Sequence, residues 1–222
     1  MKRLLFVLLV VTALGAATAA ADPIYVRSTG ASVDEYNTGV NGSVPSGQAT
    51  VALNPAHPSW YSPAGRTWVS FINNYSPTPS GQSACGGAPI CNNDYVDFFH
   101  EFVLPEGLFS GTLRVLADDT ADVWVNGTKV FDRAADYPTD TYPTCASDPI
   151  GCLATTQAII DIGSFLKAGD NLFAFKVFQE NGTGFGLNYE AEMSVSSVPE
   201  PGSGLLLLGM GLAGLRAMRK RG

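Results

Sequence analysis

Short runs of β-branched and aromatic residues, each closed by a cluster of Gly, Pro, Asn or Asp, constrain this chain more than any other feature. ATVAL at 49–53, TWVSFI at 67–72, DFFHEFVL at 97–104 and GTLRVLA at 111–117 have the length and composition of strands. The sharpest local signal is ADVWVNGTKVF at 121–131, where Asn126-Gly127 tolerates the positive φ of a two-residue type I′ turn and predicts a hairpin. Further on, AIIDI at 158–162, a turn-like GSFLKAGDN, LFAFKVFQ at 172–179 and GLNYEAEMSV at 186–195 alternate as strands with one buried face do. There is little helical periodicity between the two ends and no repeat of solenoid length. Many antiparallel strands with turn-rich joints predict an all-β fold, an antiparallel β-sandwich.

The two ends have a different character. Lys2 and Arg3, the apolar run LLFVLLVVTALGAA, and Ala19, Ala20 and Ala21 before Asp22 have the order of a secretory signal peptide over 1–21. Processing is expected after Ala21, with Ala19 the next choice. A retained anchor is the alternative, and the run is short for a span. Residues 202–215 are again apolar and are followed by Arg216, Arg219, Lys220 and Arg221. Snorkelling basic side chains extend this thin, Gly-rich segment to a transmembrane helix, and the positive-inside rule places the preceding domain outside. A buried core helix is the bland alternative, which the terminal charges disfavour.

Val198, Pro199, Glu200 and Pro201, then the apolar run, then the Arg-rich end resemble the PEP-CTERM sorting signal of Gram-negative bacteria. The resemblance implies a membrane-embedded cysteine peptidase, exosortase, as the partner that removes the tail, in hosts that usually make exopolysaccharide. Pro199-Glu200-Pro201 cannot join a helix, so it offers extended backbone to a protease. The expected organisation is a signal peptide (1–21), an exported domain (22–194) and a sorting signal (195–222). The domain would cross the inner membrane, be anchored there transiently, and then reach the cell surface or extracellular matrix.

Residues 22–198 hold seven Lys and Arg against nineteen Asp and Glu, a net charge of −12. Such a field repels nucleic acid and anionic lipid and favours neutral or cationic partners. Four cysteines fall in two close pairs, Cys85 with Cys91 and Cys145 with Cys152, inside Pro/Gly-rich loops. In an exported chain these read as disulfides; three connectivities exist, and local pairing is the economical one. Zinc is the rival, but there is no C-x-x-C spacing and only two histidines.

From FFHEFVLPEG, through GTLRVLADDTADVWVNGTKVF, to IDIGSFLKAGDNLFAFKVFQENG, the stretch from about Phe98 to Gln179 resembles the galactose-binding-like jelly roll of glycosidase accessory domains. That resemblance implies a fold, and the fold hosts many binding roles. Asp118, Asp119 and Asp122 are a candidate calcium site, since oxygen-only clusters suit Ca²⁺; the competing reading is that Asp simply forms turns. Trp60, Tyr61, Trp68 and Tyr75 lie in or beside loops, and Tyr95, Tyr137 and Tyr142 flank the cysteine-bearing segments. An exposed ring gives an apolar face to pyranose C–H groups, so the first four are candidate glycan contacts, with loop packing the alternative. Trp124, mid-strand, is assigned to packing. For catalysis there are His57 and a His100–Glu101 neighbour pair, without any nucleophile elbow, metalloprotease helix or phosphate loop. The Asn-Gly-Thr sequons at 126 and 181 read as turns. The sequence favours a non-enzymatic exported sandwich that binds glycan through loops at one end; a structural or adhesive matrix protein comes second and a hydrolase third.

Overall fold

The computed structural model describes residues 22–76, 89–91, 93–133, 145–146, 149–180 and 184–196. The expected signal peptide, the sorting tail from 197, Cys85, Tyr137, Tyr142 and the sequon at 181 lie outside the described residues. Among the described residues no helix is long and apolar enough to cross a membrane.

Two antiparallel six-stranded sheets form a sandwich. The first contains β1 (Ile24–Arg27), β4 (Val51–Ala52), β5 (Val69–Ser70), β7 (Leu108–Asp118), β10 (Ala158–Asp161) and β12 (Gly186–Ser196). Its order is β10-β7-β12-β5-β4, with β1 also paired to β12. The second contains β2 (Glu35–Val40), β3 (Gln48–Ala49), β6 (Tyr95–Leu104), β8 (Thr120–Val125), β9 (Thr128–Phe131) and β11 (Gly169–Phe178), in the order β3-β2-β6-β11-β8-β9. From β6 onward the chain passes between the sheets at almost every strand, the winding of a jelly roll.

Long ladders fix this frame. β7 pairs with β12 over its whole length, from Leu108↔Ser196 to Asp118↔Gly186, and β6 pairs with β11 from Tyr95↔Phe178 to Leu104↔Gly169. The period of two sends Val96, Phe98 and Leu104 of β6, and Phe173, Phe175 and Val177 of β11, into one core with Leu113, Val115 and Ala117 of β7. Asn126 and Gly127 take φ of 50° and 79°, as the hairpin expectation requires. Asn126 also ties the turn to the sandwich: its Oδ1 accepts from Leu172 N at 2.9 Å and its Nδ2 donates to Phe165 O at 2.8 Å.

In the N-terminal third the strand expectations shrink. ATVAL breaks at Thr50 into β3 and β4, one in each sheet, and TWVSFI leaves only β5. Here the chain is turning a corner between sheets, and packing of single large side chains replaces ladder pairing. Cys145 and Cys152 form the locally paired disulfide that the loop spacing predicts, and Cys91 is disulfide-bonded too.

Candidate functional site

On the outer face of the second sheet the ladder aligns a row of side chains. Tyr36 of β2 is opposite Phe99 of β6, Phe99 opposite Ala174 of β11, Ala174 opposite Trp124 of β8, and Trp124 opposite Lys129 of β9. Tyr36, Phe99, Ala174 and Trp124 are partly exposed. The Tyr36 and Phe99 rings stack at 5.0 Å with 18° between planes, and the Lys129 ammonium stands 4.9 Å from the Trp124 ring. Strands lie about 4.8 Å apart, so Phe99 and Trp124 are separated by ~10 Å, and the single methyl of Ala174 leaves a trough between them. Stacking occupies the Tyr36 side of Phe99, and the opposite side of its ring borders that trough.

One step along the strands the next outward residues are ion-paired. Lys176 is 3.8 Å from Asp97 and 4.1 Å from the Tyr95 ring; Lys129 is 3.1 Å from Asp122. In the other direction the trough opens into a groove of about 620 Å³ lined by Asp34, Glu101, Val103, Asn126, Lys167 and Asp170, among others. That volume falls within the usual size of small-molecule sites. Tyr36 Oη donates to Glu101 Oε1 at 3.2 Å, joining row to groove. Burial and the Glu101 charge together hold the Tyr36 phenol above its ordinary pKa, so it remains a donor at neutral pH.

The loop aromatics are placed otherwise. Trp60 and Trp68 are 6% and 2% exposed, with ring centroids 4.3 Å apart, in a second small core with Leu53, Leu116 and Cys152. Tyr75 packs against its edge, and Tyr61 is exposed at 42% with its backbone carbonyl accepting from Trp68 Nε1. The expectation of a glycan platform at Trp60 and Trp68 is therefore corrected. Leu116 faces outward from β7, and a long loop with few strands of its own uses these indoles to cover it. Gly186 permits the fit, since a Cβ there would meet the Trp60 ring at 3.1 Å.

The three aspartates do not converge on an ion. Asp118 Oδ2 accepts from Trp60 Nε1 at 2.7 Å, and Asp119 Oδ2 accepts from Glu180 N at 2.7 Å. Asp122 turns to the outer sheet face, where it accepts from Arg133 N at 2.8 Å and pairs with Lys129. Burial, and then the charge and hydrogen bond of Asp119, hold Asp118 well above the usual carboxylate range. Among the described residues, the group close enough to share a metal is Asp118 with the sulfurs of Cys145 and Cys152. The disulfide removes those sulfurs as thiolate ligands. The calcium expectation is corrected accordingly.

His100 and Glu101 point to opposite faces of β6. His100 is buried, and its Nδ1 lies 2.6 Å from Tyr189 Oη, which donates to Glu35 Oε1 at 2.7 Å. Glu35 also accepts from Thr29 N, Thr29 Oγ1 and Gly30 N. Burial lowers the His100 pKa, against the pull of Glu35 and Asp34. This chain of groups joins the two sheets and is engaged internally. His57 packs against Trp60 and Tyr75. The outer-face row was missed at the sequence level, although its signal was present: Phe99, Trp124 and Ala174 each occupy the polar phase of an alternating strand.

No curated protein matches the chain. Among solved structures, it is similar to an FMN-binding β-glucuronidase from Faecalibacterium prausnitzii L2-6 at 19% identity, over 45% of this chain and 16% of that one, with a TM-score of 0.29. It is also similar to an uncultured Clostridium sp. β-glucuronidase at 11% identity, over 80% and 29%, TM-score 0.36. A rhamnosidase from Novosphingobium sp. PP1Y aligns at 14% identity, over 78% and 16%, TM-score 0.30. The chain spans under a third of each of these enzymes, and likeness at this level assigns it no activity. Residues 197–221 match the PEP-CTERM protein-sorting motif, and the chain thus carries the signal of an exported protein sorted through exosortase.

Proposed function

We propose that this is a non-catalytic surface or matrix protein that binds exopolysaccharide on the open face of its second sheet. The observation that carries this reading is the in-register row of Tyr36, Phe99, Ala174 and Trp124, whose partly exposed rings border a trough. Pyranose C–H groups pack on aromatic faces, while hydroxyls need donors and acceptors at the rim; Glu101, Lys176 and Asp97 supply both around this row. An open trough suits a long polymer that slides in sideways, with modest affinity per contact and avidity from repetition.

Affinity electrophoresis of the processed protein through gels containing the host's own exopolysaccharide tests this. Retardation is expected with or without EDTA; Trp124→Ala is expected to weaken it about tenfold, and Arg114→Ala on the opposite face to leave it unchanged. Unchanged mobility of the folded wild type in every gel would refute polysaccharide binding and leave the structural-matrix alternative, which the buried Trp60–Trp68 core also fits.

A further inference from the structure

The row and the groove differ in charge balance. Along the row the carboxylates are ion-paired, Asp97 with Lys176, and Asp122 with Lys129, which Asp132 shares. In the groove Asp34, Glu101 and Asp170 are exposed and, among the described residues, none lies within ion-pair distance of a Lys or Arg. Lys167 is the single cation among the groove-lining residues, so the groove has a local charge of about −2 within a domain that is itself strongly acidic.

These carboxylates could have been neutralised cheaply at an exposed position, and their oxygens are hydrogen-bond acceptors only. Their in-domain donors are few: Tyr36 Oη to Glu101, and Ser32 Oγ to Asp34 at 3.4 Å. A uronate-bearing polymer entering here would meet like charge. A neutral one would meet acceptors with spare capacity. A sugar with a free ammonium would meet acceptors and opposite charge together, in a partly enclosed space where charge contacts are screened less than at an open surface.

Building on the polysaccharide-binding reading, we propose that the groove selects glycans whose sugars carry free amines, such as a partly de-N-acetylated hexosamine polymer, over neutral and uronic-acid glycans. The amine sits in the groove among Asp34, Glu101 and Asp170, and the neighbouring sugar rings lie along the trough at Ala174.

Titration of the processed protein with three oligosaccharides of equal length tests the selection: a β-1,4-glucosamine oligomer, its N-acetylated counterpart and an oligo-uronate, at a pH where the amines are protonated. The amine oligomer is expected to bind about tenfold more tightly than the N-acetylated one at low salt, the scale of one or two partly screened charge contacts. The uronate is expected to bind least. The triple variant Asp34→Asn, Glu101→Gln, Asp170→Asn should bring the two hexosamine oligomers within about twofold of each other. A charge-matched control on the first sheet, Asp161→Asn, Glu190→Gln, Glu192→Gln, alters total charge equally away from the groove and should keep the gap. Equal binding of the amine and N-acetylated oligomers overturns the selection and leaves polysaccharide binding standing. A gap that the control variant closes as fully as the groove variant overturns the groove as its source. Failure of the wild type to bind all three oligomers and the host polymer refutes both proposals.

Discussion

Trp60 and Trp124 invert the usual association of loops with exposure and strands with burial. Trp60 comes from a loop and is 6% exposed, packed at a tilt against Trp68 and hydrogen-bonded to Asp118. Trp124 comes from the middle of β8 and is partly exposed beneath Lys129. The cause is the need for cover at each place. The far end of the first sheet presents Leu116 outward, and the long loop crossing it has no ladder to hold it, so its aromatics become a core. The second sheet's outer face has its ladder complete from β3 to β9, so its aromatics are not required for folding and remain on the surface. Exposed rings that the fold can spare are better candidates for binding than rings that merely sit in loops.

The strongest test of this contrast is stability. Trp60→Ala should cost about 3–5 kcal/mol in chemical denaturation, the range for a buried large aromatic, whereas Trp124→Ala should stay within ~1 kcal/mol of wild type. Equal costs would erase the distinction. Affinity should invert the order: Trp124→Ala is expected to weaken polysaccharide binding about tenfold, the loss of one aromatic–sugar contact, in the gel assay. Below the melting temperature of Trp60→Ala, that variant should bind as wild type does.

Asp118 sharpens the comparison through pH. Its folded pKa is raised, so the stability it contributes is fully present below its unfolded pKa and is lost as pH rises through the folded value. Asp118→Asn keeps an acceptor for Trp60 Nε1 and cannot ionise. Thermal melts from pH 4 to 8 should therefore show the variant losing less stability than wild type as pH rises. A parallel decline in both would mean that Asp118 is not the group responsible. The smallest effect is expected on the first sheet's outer face. There Arg114 lies 3.7 Å from Glu190 and 3.3 Å from Glu192, and Arg114→Ala should cost under about 1 kcal/mol with affinity unchanged, as exposed pairs do.

The sandwich was legible because period-two alternation and the Asn126-Gly127 turn are local signals that the ladders of β6, β7, β11 and β12 simply extend. The Cys145–Cys152 pairing was legible for the same reason, being seven residues apart. The N-terminal strands were less so, because β3, β4 and β5 are two-residue pairings set by distant partners. The site was misread in both directions. Trp124 reads as core or sheet-face packing because it is large and mid-strand; Val123 and Val125 take the inward phase and leave its ring on the outer face. Asp118, Asp119 and Asp122 looked like ligands because they are close in sequence, yet only Asp118 and Asp119 meet, while β8 turns Asp122 toward Arg133 and Lys129.

β12 runs as regular strand to Ser196, paired with Leu108, and the sorting motif begins at residue 197. The end of the sandwich that bears Ser196 also bears Leu104 and Gly169, beside Val103 and Asp170 of the groove, while Asp118 and the Cys145–Cys152 disulfide belong to the opposite end. Eleven residues of strand at about 3.3 Å each put ~35 Å between the two. The described domain thus has a root, where β12 ends at Ser196, and a tip. The groove therefore lies at the root, the end of the fold from which the sorting motif continues.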